Sequence, residues 1–261
     1  MAEPTTEKAA EVEDRRAGSA ARVLELLLCF DKQNHTLSSR DLSKMTGIAL
    51  PSVYRYVALL RETGLLVGDE RGNYHVSMRV ATLAEAAEAA DFLIDLADPV
   101  MRRLSQDTDE TVLLVRLIAQ TAVCVHRIEC SHLVRLTISP GEPIRLKHGA
   151  SSRVLIASMP AAEQAAIIDR LAAEGPEAAA RFQAAVELAG TRGWATSEED
   201  PDTGVWAASA AVLDPAGRTI AALSVPSPID RAPKAIRDAR LAAVREAARE
   251  LSNLVASHGG A

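Results

Sequence analysis

Four residues spaced as Cys124-x-His126-x3-Cys130-x-His132 form the densest group of soft donors in the chain, and thiolate sulfur with imidazole nitrogen suits zinc. Side chains alternate along a strand, so Cys124 and His126 are expected on one face, as are Cys130 and His132. The same types suit a thiolate nucleophile, but a histidine two residues along one strand lacks a third group to orient it. The spacing is not a standard zinc signature, the second pair follows a turn signal, and Cys124 alternates with apolar neighbours as a core residue does. No metal is assigned on this basis; a metal- or thiol-responsive role for the four is the alternative reading. No G-x-S-x-G, H-E-x-x-H, P-loop or G-x-G-x-x-G occurs, and no catalytic carboxylates stand out among 35 acids. An enzyme is not expected, and no cofactor is implied.

A second group suits nucleic acid. Pro51, Ser52, Tyr54 and Arg55 open an amphipathic segment, and an arginine fork matches the acceptor edge of guanine in the major groove. Ser38 and Arg40 precede it, and Arg71 and Asn73 follow in a polar turn. Three helices and a hairpin must position these residues. Ala20, Val23, Leu24, Leu27 and Leu28 recur at helical spacing, with Ser19 placed as N-cap. Ser38 or Ser39 caps a second helix whose Leu42 and Met45 face inward until Gly47 ends it. Pro51 suits the first turn of a third, where Val53, Val57 and Leu60 form the inward stripe. Pro51, Arg55, Ala58 and Glu62 then look outward, with Ser52 and Tyr54 beside them. Gly64 closes that helix, a strand follows over Leu65 to Val67, and Asp69 to Asn73 form a hairpin tip before Tyr74, His75 and Val76. This order reads as a winged helix-turn-helix with double-stranded DNA as its partner.

The net charge of −6 divides unevenly along the chain. Residues 1–14 hold one Lys against five acids; residues 15–80 hold ten Lys and Arg against six; the remainder holds 18 against 24. Phosphate contact is local, so an acidic body does not veto a basic head. At 261 residues and 48% hydrophobic content, the chain has room for one small and one medium domain. No apolar run approaches the roughly 20 residues of a membrane span, and no secretory signal opens the chain, so a soluble cytoplasmic protein with three reduced thiols is expected.

Residues 47–66, with Ser52 and Arg55 at the hydroxyl and arginine positions, resemble the recognition helix and following strand of the IclR family of bacterial transcription regulators. The runs LADPVMRRLSQDTDETVLL, GEPIRLKHGASSRVLIASMP, RGWATSEEDPDTGVWAASAAV and GRTIAALSVPSPIDR are similar, in order, to that family's ligand domain. The resemblance covers nearly all of residues 18–256. It departs at Gly204-Val205-Trp206-Ala207, where a cysteine is usual, at Pro226-Ser227-Pro228 in place of Ser-Gly-Pro, and at the loop 147–153. Effector identity therefore does not carry over.

Four regions are expected: a disordered acidic tail at 1–14, the winged helix-turn-helix at 15–79, a linker helix at 80–97, and an α+β domain at 98–258. In the last, a helix over Asp91 to Ser105 is interrupted or restarted at Pro99, and strands cover Thr111 to Leu117, Ala122 to Ile128 and Leu133 to Ser139. Helices then run to about Gly190. A hairpin of Ala207 to Leu213 and Thr219 to Val225 precedes a last helix from Pro233 to Val255. The resemblance implies a GAF-like effector-binding domain and a homodimer or homotetramer without membrane contact. Candidate effector contacts are the backbone N–H groups of Gly149 and Ala150, Ser151, Glu199 and Ser224, with Leu136, Leu146, Trp206 and Ala211 as lining. Ser224 serves equally to satisfy a neighbouring backbone group, and Trp206 equally as core or subunit contact.

Overall fold

The structure, a computed structural model, describes residues 18–136, 138–144, 146, 148–198 and 204–258. The expected acidic tail at 1–14 and Glu199 lie outside them. The chain divides into two compact units, 1–90 and 91–261.

In the first unit, α1 runs over 18–27 and is followed by β1 (Leu37–Ser38), α2 (Ser39–Thr46) and α3 (Leu50–Glu62). Next come β2 (Leu66–Gly68), β3 (Asn73–Val76) and α4 (Arg79–Ala89). Ser38 caps α2 in a reciprocal box: its hydroxyl accepts from the Asp41 N–H while the Asp41 carboxylate accepts from the Ser38 N–H. Gly47 ends α2 at φ 70°, a left-handed conformation that costs glycine little. Leu26, Leu42, Ile48, Val53, Val57 and Leu60 close one core, each such side chain contributing roughly 1.5–3 kcal/mol on leaving water. The strands form an antiparallel sheet in the order β1-β3-β2.

Two expectations for the head are corrected. Ser19 is not an N-cap, because the helix already includes residue 18; its side chain instead hydrogen-bonds Tyr56 of α3. Met45 is 49% exposed: α2 is only two turns long, and Ser39 and Leu42 fill its inward face.

The second unit begins with α5 (Phe92–Thr108), capped by Asp91, whose side chain accepts from the Leu93 N–H. The span expected as one linker helix, 80–97, thus contains nearly all of α4, a break and the start of α5. Pro99 lies inside α5 without interrupting it, since proline removes one hydrogen bond while Leu93, Ala97, Val100, Met101 and Leu104 bury the inner side of the helix. There follow β4 (Val112–Ile118), β5 (Thr121–Ile128), β6 (Pro143–Ile144), α6 (Gly149–Ala157), α7 (Ala161–Glu174) and α8 (Pro176–Arg192). The chain then forms β7 (Trp194–Glu198), β8 (Val205–Leu213), β9 (Thr219–Pro228), a 3-10 turn (Ile229–Arg231) and α9 (Lys234–His258). One antiparallel sheet, ordered β6-β5-β4-β9-β8-β7, carries α5 and α9 on one face and α6 on the other. The α7–α8 pair packs on the outside of α6 through Ile156, Ile167, Leu171, Phe182 and Val186.

The strand expected over Leu133 to Ser139 does not form among the described residues there. Leu133 and Val134 are 98% and 74% exposed, while Ile138 packs against the cluster under α6 without joining the sheet. An α+β body with an antiparallel sheet stands as expected.

Candidate DNA-binding surface and ligand site

On the head, one side of the first two turns of α3 faces outward while Val53, Tyr56 and Val57 are buried. Pro51 occupies an opening position, where its missing N–H is no loss. Tyr54 and Arg55 are exposed and Ser52 is half-buried beside them. Arg55 lies with its guanidinium 5.1 Å from the ring centre of Tyr56 and donates to the Tyr56 hydroxyl at 3.3 Å. Tyr56 is buried and tied to α1 through Ser19, so the arginine starts from an oriented position. At the hairpin tip, Asp69 gathers the turn: its carboxylate accepts from the N–H groups of Arg71 and Asn73 and from the Asn73 amide. Those hydrogen bonds, from Asn73 foremost, hold the Asp69 carboxyl below the ordinary carboxylate range. The Arg71 side chain remains exposed.

The expected DNA contacts therefore differ in what they have free. Arg40, Tyr54, Arg55 and Arg71 offer exposed side chains. Ser38 uses its hydroxyl in the α2 cap, donating to Asp41 at 2.6 Å, and Asn73 spends its amide on the turn.

In the body, the sheet face beneath α6 gathers several expected effector residues. Gly149, Ala150 and Ser151 form the first turn of α6, with Gly149 at φ 83°. Ala150 is buried together with Leu113, Val115, Cys124, Ala207 and Ala222, and Leu146 and Ala211 pack at the margin. Ser224 stands directly across from Ser209. Its hydroxyl donates to the Ala208 carbonyl at 3.3 Å, while that of Ser209 donates to the Leu223 carbonyl at 3.1 Å. Each oxygen keeps lone pairs that can accept from a ligand. Sequence reasoning missed Ser209, although counting by two between Ala207 and Ala211 would have found it. It also missed Arg153, whose Nη1 donates to the Thr196 carbonyl at the side of this face.

Trp206 is corrected: it lies on the other face. Strand alternation places Trp206, Ala208, Ala210 and Val212 against α5 and α9, where Trp206 is 3% exposed with the Arg237 guanidinium 5.7 Å from its ring centre. Leu136 is half-buried in the segment after β5.

The cysteine and histidine group is also taken apart. A register shift between Leu114 and Val115 pairs Leu114 with His126 but Val115 with Cys124, leaving Val125 as the extra residue of a bulge. Strict alternation fails there. Cys124 faces α6, whereas His126 meets Asp98 of α5 at 3.0 Å. Cys130 sits 3.5 Å from the Thr111 hydroxyl, and His132 pairs with Asp109 at 3.1 Å. Burial raises the Cys124 thiol to about 11, opposite to what a nucleophile or metal ligand requires.

A three-helix head with a wing, joined to an α+β body, is the construction of a helix-turn-helix transcription regulator with a second domain. Residues 19–70 match the IclR helix-turn-helix domain and residues 86–253 the bacterial transcriptional regulator IclR C-terminal domain. The chain belongs to the IclR family of bacterial transcription regulators. It is 32% identical to the HTH-type transcriptional regulator KipR of Bacillus subtilis over 143 residues, covering 55% of this chain and 56% of that protein. It is 24% identical to the HTH-type transcriptional repressor AllR of Klebsiella pneumoniae, covering 96% of this chain and 92% of the repressor. Among solved structures, an IclR family regulator from Brucella abortus superposes with a TM-score of 0.79 at 20% identity, over 91% of this chain and 92% of the other. An IclR homolog from Microbacterium hydrocarbonoxydans, complexed with 4-hydroxybenzoate, gives 0.70 at 19% identity, over 91% and 98%. No helix among the described residues is long and apolar enough to cross a membrane.

Proposed function

We propose that this chain is a sequence-specific DNA-binding regulator whose operator affinity is set by a small metabolite held between α6 and the sheet. The observation that carries the DNA reading is the outward Arg55, oriented by Tyr56 at the start of α3. Arg40 and Arg71 flank it in sequence on the elements that line the backbone in winged helix-turn-helix proteins. Ser151, Ser209 and Ser224 would supply aimed polar groups on an otherwise apolar face. The 4-hydroxybenzoate complex of the Microbacterium homolog supports a small organic acid as the class of effector.

Such a protein works as a homo-oligomer. Among the described side chains of α4, only Val80 and Ala81 are even partly covered, as suits a helix completed by a second copy. A ligand then acts by binding one arrangement of paired heads more tightly than another, since equal affinity shifts nothing. The test is selection of bound fragments from genomic DNA, followed by anisotropy titration with and without candidate acids. A preferred duplex whose affinity moves with one acid is expected. No preference for any duplex at low ionic strength overturns the DNA reading, and an affinity indifferent to every acid overturns the effector reading.

A further inference from the structure

Away from the first turn of α6, a cleft of about 490 Å³ opens where the end of α8, the start of β7, the β8–β9 hairpin and α9 meet. Ala189, Gly190, Ala210, Ala211 and Ala248 line it. None of these carries more than a methyl, so the facing backbones leave space that no side chain fills. Its volume lies within the range of roughly 300–1,000 Å³ usual for small-ligand pockets.

Two of its three charged residues are gathered on one ring. The Arg192 guanidinium lies 5.0 Å from the ring centre of Trp194 and that of Arg245 lies 5.5 Å from it. All three residues line the cleft. A third lining arginine, Arg249, is paired with Glu246. Among the described residues, no carboxylate lies within ion-pair distance of Arg192 or Arg245. An indole attracts both cations but neutralises neither, so both exposed guanidinium groups keep their charge for an anion. A guanidinium held at a ring still has N–H donors to spend, and an arginine fork can take a carboxylate with two parallel hydrogen bonds.

We propose that this cleft is a second ligand site, taking a small organic carboxylate with its apolar body on the alanine and glycine lining and its charge between Arg192 and Arg245. The cleft borders the face under α6 at Val154, Ala189 and Ala211 but is lined by none of Gly149, Ala150, Ser151, Ser209 or Ser224, and the proposal stands whether or not the DNA reading does. Its lining on α6 is Val154 and Ala157, with Ser158 just beyond the helix.

Benzoate is the probe, with benzyl alcohol and inorganic phosphate as the two halves of its chemistry. The chain has two tryptophans, so Trp206→Phe leaves Trp194 as the sole indole reporter. Benzoate is expected to change Trp194 emission saturably, at constant ionic strength, and to bind at least tenfold more tightly than either control. The Arg192→Gln/Arg245→Gln double variant is expected to lose at least tenfold in calorimetric affinity. Should Trp206→Phe fail to fold, the emission change is read in the unmodified protein and must vanish in Trp194→Phe. Equal binding of benzyl alcohol removes the role of charge, and equal binding of phosphate removes that of the apolar body; either overturns the proposal. Benzoate heat that survives in the double variant, with Trp194 silent, puts the ligand elsewhere and overturns it too.

Discussion

Arg55 follows Pro51 by one helical turn, so the residue that opens α3 and the residue best suited to read a base share one side of it. Arg55→Ala is expected to weaken operator binding by about 1–3 kcal/mol and to relax preference at one base pair, as read by anisotropy on a panel of substituted duplexes. A loss equal on every duplex assigns the arginine to phosphate instead. Cys124 carries an opposite expectation. With its thiol raised to about 11 by burial, it stays protonated at neutral pH and should resist iodoacetamide in the folded protein, reacting only on denaturation, as mass spectrometry of the labelled peptides will read. Rapid labelling of native Cys124 would revive a thiol-responsive role. Single residues were legible where their task is local: Pro51 and Gly47 announce themselves by backbone chemistry alone. Trp206 was not, because which side of a sheet a strand residue takes depends on neighbours far away in sequence.

The reciprocal cap at Ser38 and Asp41 sets where α2 begins, and the Ser38 hydroxyl in turn holds the Asp41 carboxyl below its ordinary range. Ser38→Ala is expected to cost the head about 0.5–2 kcal/mol, measured by denaturant melting. An unchanged midpoint would mean that the box contributes nothing and that any loss of DNA affinity is a lost contact. In the body, Glu110, only 1% exposed, is gripped by both ends of the Arg231 fork at 2.9 and 2.8 Å, with Arg240 at 3.7 Å. The grip fastens the segment before β4 to the 3-10 turn and to α9. Hydrogen bonding to Glu110 raises Arg231, while burial lowers Arg240 despite the same carboxylate. Removing the carboxylate strands a buried cation, so Glu110→Ala is expected to destabilise the body by about 3–5 kcal/mol, read as a shifted denaturation midpoint. A loss below 1 kcal/mol would mean that water readily replaces it. Elements with local signals, such as the wing with its Asp-Glu-Arg-Gly-Asn tip, could be read from the sequence. The bulge at Val125 could not, since it arises from pairing with β4, and it alone turns Cys124 and His126 to opposite faces.

The two units have separate cores, one built on Leu26, Leu42 and Val57, the other on both sides of a six-stranded sheet. Calorimetry is accordingly expected to resolve two transitions, with Ser38→Ala moving one and Glu110→Ala the other. One transition shifted equally by both variants would make the chain a single cooperative body. At this scale most of the architecture was present in the sequence, because the basic stretch marks the head and the quoted runs mark the two units in order. What lies between α6 and the sheet was less legible: Ser224 was visible but its opposite number Ser209 was not.

A unit that keeps its own core can be exchanged. Grafting residues 1–90 of this chain onto the body of a relative should transplant promoter choice without altering what the hybrid senses, so the two halves of such a regulator can diversify at different rates during descent.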